Sequence, residues 1–508
     1  MAAQRVTASG KNLRVSLAGH MMTVIFNFVT RRMFISLLGS EYAGFSGLCG
    51  HILNFLSLLE PGFDAACAFY LYRPLADGDI RLTGAVMAYI KRIYRRVSVI
   101  TFFIGTAAFP IVVILSKKSV TVPFAASVYF LLLFEMCMSY LLVHRHILPV
   151  SDQKSYTVNG FGYIVFIVTG LIRLFVLFNT HNYIAYLFAG ITVQLAGEII
   201  LYRRISGMYP YINGKAPELP ENARLEIVSK VRSLFFHKTG AILCGSADNM
   251  AVFVFLGLGA GTMYSNYTML SGICLAFISI VTNSAAASVG DLGVTGNRQR
   301  MYKVYTTAFF AIVMLGAFFA QSLFFTYPFI VEMWVGKDMV LGDTTTALFC
   351  AGMFISALRR PTGIFLDGFG LFDKEKYKAI TEAVLTVTAT LVFAPSHGIS
   401  GVLLGQITGT VCFSLWYEPY ILFRYGFKTD MRMFIRDILK YIFAVLLSFV
   451  FTSVIVTCGG NGFDGISAVI FRVTVSALSV LSVFFILFFD SDRLVQTVRY
   501  GRKMLKKG

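Results

Sequence analysis

Fourteen apolar runs, each between 19 and 28 residues long, alternate with short polar connections along the chain. They cover 14–37, 44–71, 94–116, 120–143, 156–178, 182–202, 236–257, 262–289, 304–330, 343–368, 376–394, 399–423, 434–457 and 465–489. About 20 apolar residues wound as a helix cross the roughly 30 Å hydrocarbon core of a bilayer. The pattern therefore predicts an all-α polytopic membrane protein of about fourteen transmembrane helices. The longest polar connection, about 206–232, holds Pro210, Pro217 and Pro220. An amphipathic stretch at 223–234 is expected to lie along the membrane surface.

The pattern repeats at a shift of about 218 residues. The run 33–39 ends in Leu38-Gly39, and the run 251–257 ends in Leu256-Gly257. Each is followed by a short turn, a span rich in small residues and a polar loop (75–79 in the first copy, 291–293 in the second). Six spans precede the second copy, so both copies start from the same side of the membrane. Such a parallel repeat has its axis along the membrane normal. The predicted organisation is a lobe at 1–205 (spans one to six), a cytoplasmic linker with an amphipathic helix at 206–235, a second lobe at 236–425 (spans seven to twelve), and spans thirteen and fourteen with a basic tail at 426–508.

Composition changes little in this picture. Of 508 residues 56% are hydrophobic and 14% charged, with mean hydropathy +0.71, a balance that excludes a soluble domain. The net charge of +18 could suggest nucleic acid, but its distribution points to topology. With the N-terminus inside, 35 of the 44 Lys and Arg fall in cytoplasmic segments, three fall outside, and six lie within spans. That bias predicts cytoplasmic N- and C-termini, with the basic tail on the anionic inner leaflet, and no nucleic-acid partner. The basic arm with Arg5, Lys11 and Arg14 carries no small-residue cleavage site, so the first run is expected to stay as a span. The eight cysteines are scattered singly and read as small core residues rather than a disulfide or metal framework.

Charges inside the runs are the candidate chemistry, because an ionisable group at membrane depth is costly unless it faces a polar interior. Arg31 and Arg32 stand in the outer third of span one, about 100° apart on a helix of 3.6 residues per turn. Asn27 shares the face of Arg31, which favours Arg31 pointing inward. Arg173 lies at similar depth in span five, and Arg359, Arg360 and Pro361 interrupt span ten. Guanidinium forks suit phosphate, so Arg31, Arg32, Arg173, Arg359 and Arg360 are the candidate cations of a substrate cavity; the alternatives are snorkelling or internal ion pairs. Glu60 and Asp64 share a helix face across Pro61-Gly62, which should kink the span. With Asp248 and Asn249 in span seven they are candidates for ion coupling or gating, and His237 and Lys238 mark the cytoplasmic mouth. Glu135, Glu198, Glu382 and Glu418 also lie in or at the ends of spans, where local hydrogen bonds are the simpler role. No Walker A loop, dinucleotide glycine turn, His-Glu-x-x-His or Cys-x-x-Cys is present. Asp77-Gly78-Asp79 reads as a loop cap. No cofactor is expected beyond a coupling ion, H+ or Na+.

Several stretches carry a family likeness in order along the chain. They include Leu38-Gly39-Ser40-Glu41-Tyr42-Ala43-Gly44, Leu71-Tyr72-Arg73-Pro74-Leu75-Ala76-Asp77, Phe236-His237-Lys238, Asp248-Asn249, the run 257–267, Ala287-Ser288-Val289-Gly290-Asp291-Leu292 and Trp416-Tyr417-Glu418-Pro419-Tyr420. In these the chain resembles the oligosaccharide flippases of the multidrug, oligosaccharidyl-lipid and polysaccharide exporter (MOP) superfamily. It departs at 60–64, where Asp64 adds a second acid. The resemblance implies two six-helix lobes plus two C-terminal helices, a central cationic cavity, and alternating access in a bacterial plasma membrane. Its implied cargo is an undecaprenyl-pyrophosphate-linked oligosaccharide moved to the outer leaflet for cell-surface polysaccharide synthesis. Implied partners are that lipid-linked oligosaccharide, membrane lipids, a polysaccharide polymerase and an initiating glycosyltransferase. A drug or organic-cation antiporter of the same superfamily is the alternative, which would favour an anionic, aromatic cavity. An integral-membrane polymerase or ligase would call for a large outer loop, and the outer connections are short.

Overall fold

The computed structural model describes residues 2–57, 63–116, 124–214, 218–295, 298–375, 377–489 and 493–494. Side chains at 2–17, 63–66, 230–248, 283–295 and a few single positions lie outside the description. Among the described residues the secondary structure is helical throughout. The helices of the first half are α1 (Ala2–Leu38), α2 (Ser40–Leu56), α3 (Phe63–Asp77), α4 (Ile80–Ser116), α5 (Ala125–Val143), α6 (Ile147–Ser151), α7 (Ser155–Thr180) and α8 (Tyr183–Met208). There follow α9 (Glu221–Thr295), α10 (Arg298–Val335), α11 (Asp343–Gly368), α12 (Phe372–Glu375), α13 (Lys378–His397), α14 (Ile399–Gly409), α15 (Leu415–Ile421), α16 (Met431–Gly459) and α17 (Gly465–Leu487). The chain is a multi-pass membrane protein. Eleven of its described helical segments are long and apolar enough to cross a bilayer. Of the remaining expected spans, α11 carries Arg359 and Arg360, which lower its hydropathy, and α2 is 17 residues long.

Local chemistry sets the helix ends. Asn182 starts α8 by accepting bonds from the backbone N–H of Ile184 (2.9 Å) and Ala185 (3.2 Å), which satisfies two otherwise orphaned donors. Asp430 does the same for α16 through Arg432 N at 2.9 Å. The stretch 223–234, expected to lie along the membrane surface, begins a helix that runs unbroken from Glu221 to the kink at Gly257. With no proline between 221 and 256, backbone bonding carries the helix straight through.

The internal repeat has a backbone signature. Gly39, between α1 and α2, has φ 92° and ψ 166°, and Gly257, inside α9, has φ 86° and ψ −176°. Only glycine adopts this conformation without strain. Immediately beyond, Thr262 donates its hydroxyl to the carbonyl of Ser40 at 2.7 Å. Gly44, the counterpart of Thr262 in the first copy, lies so close to the carbonyl of Leu258, the counterpart of Ser40, that a Cβ would overlap it. One pair of residues thus meets its sequence equivalents reciprocally.

Two compact units divide the chain, Met1–Thr262 and Met263–Gly508. In the first, Met87, Ile90, Tyr94, Leu148 and Leu201 form a buried core among α4, α6 and α8. In the second, an aromatic core of Tyr305, Phe310, Phe365, Phe423, Phe434 and Phe484 joins α10 and α11 to α16 and α17. Gln321 on α10 adds polar ties to α16, donating to Ser448 at 2.6 Å and accepting from Thr452 at 3.0 Å. Interhelical bonds of this kind are worth about 0.6–2 kcal/mol in a membrane. α13 and α14 approach backbone to backbone: a Cβ at Gly401, Gly405 or Gly409 would overlap Phe393, Thr390 or Thr386. That small-residue stripe brings Glu382 of α13 against the chain after Gly409.

Candidate functional site

Two groups of charged side chains hold the candidate arginines Arg173 and Arg359, one in each unit. In the first unit, Arg173 on α7 sends Nη2 to Glu135 Oε1 on α5 at 3.1 Å. Its guanidinium carbon lies 5.5 Å from the ring of Tyr186 on α8, within cation–π range. A Cβ at Gly190 would overlap Arg173 Nε, so the guanidinium lies along α8 only because that position is glycine. Arg173 Nε is buried and has no hydrogen-bond partner among the described residues. Arg31, half-buried on α1, is within electrostatic reach of the same Tyr186. Phe34, one turn on, packs edge-on against Tyr183 (5.3 Å) and Tyr186 (5.4 Å). Arg32 is exposed. The 100° step between neighbouring helical residues thus separates the two arginines.

In the second unit, Arg359 on α11 is held by two carboxylates. Its Nη1 and Nη2 meet Glu382 Oε1 and Oε2 at 2.6 and 3.0 Å. Its Nη2 and Nε meet Glu418 Oε1, on α15, at 2.6 and 3.2 Å. Glu382 also accepts from Thr410 (3.0 Å) and Ser414 (2.7 Å). These two residues lie in a π-helical segment, Thr410–Ser414, a distortion frequent at functional sites. Lys378 extends the network, 2.9 Å from Glu418 and 3.2 Å from Glu375. Three carboxylates face two cations. Burial holds the Glu375 carboxyl above the usual carboxylate range, against the pull of Lys378.

Of the five candidate cations, Arg31 and Arg173 share one neighbourhood, while Arg359 is neutralised by partners of its own. Arg360, the next residue, turns to Ser279 on α9 and leaves a buried Nε without a partner among the described residues. Asn249 is half-buried in α9. Glu60 lies outside the described residues. Asp64, Asp248, His237 and Lys238 lie on helical backbone, with side chains outside the description. The sequence reading missed the roles of Tyr186, Gly190, Glu375 and Lys378. The Gly401-x-x-x-Gly405-x-x-x-Gly409 spacing was the available signal for the α13–α14 contact.

No protein-family model matches the chain, and no curated protein sequence matches it. Solved structures do. The fold is similar to "Lipid II flippase MurJ, inward closed conformation", with a TM-score of 0.68 at 12% identity over 94% of this chain and 99% of that one. It is also similar to an inward-facing multidrug resistance MATE family transporter of the MOP superfamily, with a TM-score of 0.61 at 13% identity over 80% and 97%. A third match is a MOP superfamily transporter from Pyrococcus furiosus with a binding pocket of reversed polarity. Its TM-score is 0.55 at 11% identity over 83% and 97%. The chain shares its fold with these transporters and this flippase.

Proposed function

We propose that this protein flips an undecaprenyl-pyrophosphate-linked oligosaccharide from the inner to the outer leaflet of a bacterial plasma membrane. Arg173 is the observation that carries the reading. A guanidinium with one carboxylate contact and a buried, unpartnered Nε has capacity left for an anion, and its planar fork suits pyrophosphate. Arg31 supplies a second positive group near the same tyrosine. In this mechanism the arginines neutralise the pyrophosphate, polar side chains hold the sugars, and the polyprenyl tail stays in lipid. Alternating access then exposes the site to each side. An ion gradient of H+ or Na+ resets the cycle, with Glu60, Asp64, Asp248 and Asn249 as coupling candidates. The termini lie in the cytoplasm, and a polysaccharide polymerase and an initiating glycosyltransferase are the natural partners.

A second reading, an organic-cation antiporter, draws on the surplus carboxylate among Glu375, Glu382 and Glu418 and on the similarity to the MATE fold. Proteoliposomes separate the two readings. Leaflet transfer of a fluorescent undecaprenyl-pyrophosphate oligosaccharide without extrusion of an organic cation supports the flippase. Extrusion without lipid transfer replaces it with the antiporter.

A further inference from the structure

A cavity of about 420 Å³ lies where the chain leaves the twelfth span and enters the thirteenth. Tyr420, Arg424, Lys428, Thr429, Asp430 and Met431 line it. The candidate spans Ile399–Phe427 and Met431–Gly459 end and begin at its edges, which sets it at the level of the membrane–water interface. Its shape follows from the backbone. A second π-helical segment, Leu422–Phe427, ends in Lys428 with φ 56°, and Thr429 N bonds back to Phe423 O at 3.0 Å. The chain reverses there in three residues, and a concave wall remains.

The cavity is cationic. Arg424, an exposed lining residue, donates to the hydroxyl of Tyr420 and lies against the rings of Tyr420 (5.5 Å) and Tyr425 (5.7 Å). Neither Arg424 nor Lys428 meets a carboxylate among the described residues. Asp430, the one acid in the lining, is already engaged: Oδ1 caps α16, and Oδ2 lies 3.9 Å from Arg432 Nε. Two uncompensated cations therefore face one small opening. Trp416, Tyr420 and Met433 are exposed on the spans beside it, so an apolar surface adjoins the charge on its membrane side. Aromatic side chains of this amphipathic kind concentrate at headgroup level.

We propose that this cavity is a binding site for the phosphodiester of an anionic membrane phospholipid, gripped by Arg424 and Lys428, with the acyl chains along the exposed flanks of α15 and α16. The Lys and Arg bias assigns this end to the cytoplasmic leaflet, where anionic lipids and basic side chains attract one another. The site is independent of the cargo and stands or falls separately from the flippase reading.

The test is native mass spectrometry of the full-length protein extracted with phosphatidylglycerol and phosphatidylcholine, counting retained lipid. The variant is Arg424→Gln with Lys428→Asn, because asparagine tolerates positive φ. The control, Arg203→Gln with Arg204→Gln, removes the same charge at exposed positions on α8. Retention of phosphatidylglycerol should fall about 10- to 30-fold in the cavity variant, as two interfacial cations predict, and stay within about two-fold in the control. Equal loss in both variants, or in neither, overturns the site in favour of diffuse attraction. Displacement of the lipid by millimolar inorganic phosphate overturns the lipid assignment in favour of a free-phosphate site. Unchanged helicity and elution volume of the cavity variant exclude misfolding as the cause of a loss.

Discussion

Arg173 and Arg359 are both arginines at membrane depth, and the structure treats them in opposite ways. Arg173 has one carboxylate contact, at 3.1 Å, and an Nε with no described partner. Arg359 has two carboxylates and four hydrogen bonds of 2.6 to 3.2 Å. A charge removed from water must recover its solvation from partners. Arg359 has done so within the protein and joins α11 to α13 and α15. Arg173 is less fully compensated, with Nε left over, and the proposed anion contact rests on that capacity. Charge at depth is therefore a poor guide to function until its partners are counted.

The largest expected effect is on the closed network. Arg359→Ala leaves Glu382 and Glu418 facing one another without their shared cation and should lower stability by about 3–5 kcal/mol. Thermal unfolding in detergent measures this. Adding Glu382→Gln and Glu418→Gln should restore much of the loss, and a triple variant as unstable as the single one would deny the network its role.

Arg173→Ala should behave differently. Its pair with Glu135 is a single contact, so stability should fall by less than in Arg359→Ala. Transport should fall about 10- to 100-fold, the equivalent of one lost charge-assisted contact of about 1.5–3 kcal/mol. A stability loss matching that of Arg359→Ala would erase the distinction between the two residues.

Gly190→Ala sharpens the same point without touching a charge. The added methyl displaces the Arg173 guanidinium, so transport should drop toward the level of Arg173→Ala. Overpacking should cost about 1–3 kcal/mol. Normal transport in this variant would show that the position of Arg173 along α8 does not matter.

The smallest effect concerns pH. The Glu375 carboxyl titrates above its ordinary range because it is buried. Its contribution is fully present below the unfolded pKa and is lost as pH rises through the raised folded value. Glu375→Gln keeps the neutral form at every pH. The stability difference between wild type and variant should therefore shift against wild type between pH 4 and neutrality, by no more than about 1 kcal/mol. A difference independent of pH would remove Glu375 from the titrating groups.

Much of the fold was legible because hydrophobic length and backbone chemistry are local. Where described, the fourteen runs fall on helices, and Gly39 and Gly257, matched by their surroundings in sequence, share a conformation that glycine alone adopts without strain. Arg31 and Arg32 separate as helical geometry requires. Pairing was not legible. Arg359 meets Glu382 and Glu418 across 23 and 59 residues, and a period identifies a helix face without naming the helix opposite. Gly190 was equally silent, since its importance lies in a side chain from another helix. The stretch 223–234 was legible as an amphipathic helix but not as the start of a longer one, because the same pattern suits both.

The most direct measurement is the affinity of the purified protein for undecaprenyl pyrophosphate in three forms: wild type, Arg173→Ala and Arg359→Lys, which keeps the charge but not the fork. The account predicts affinity reduced about 10-fold or more in Arg173→Ala, as expected for one lost contact to a charged group, and unchanged in Arg359→Lys. Full affinity in Arg173→Ala, with loss in Arg359→Lys, would place the anion at the second unit and contradict it.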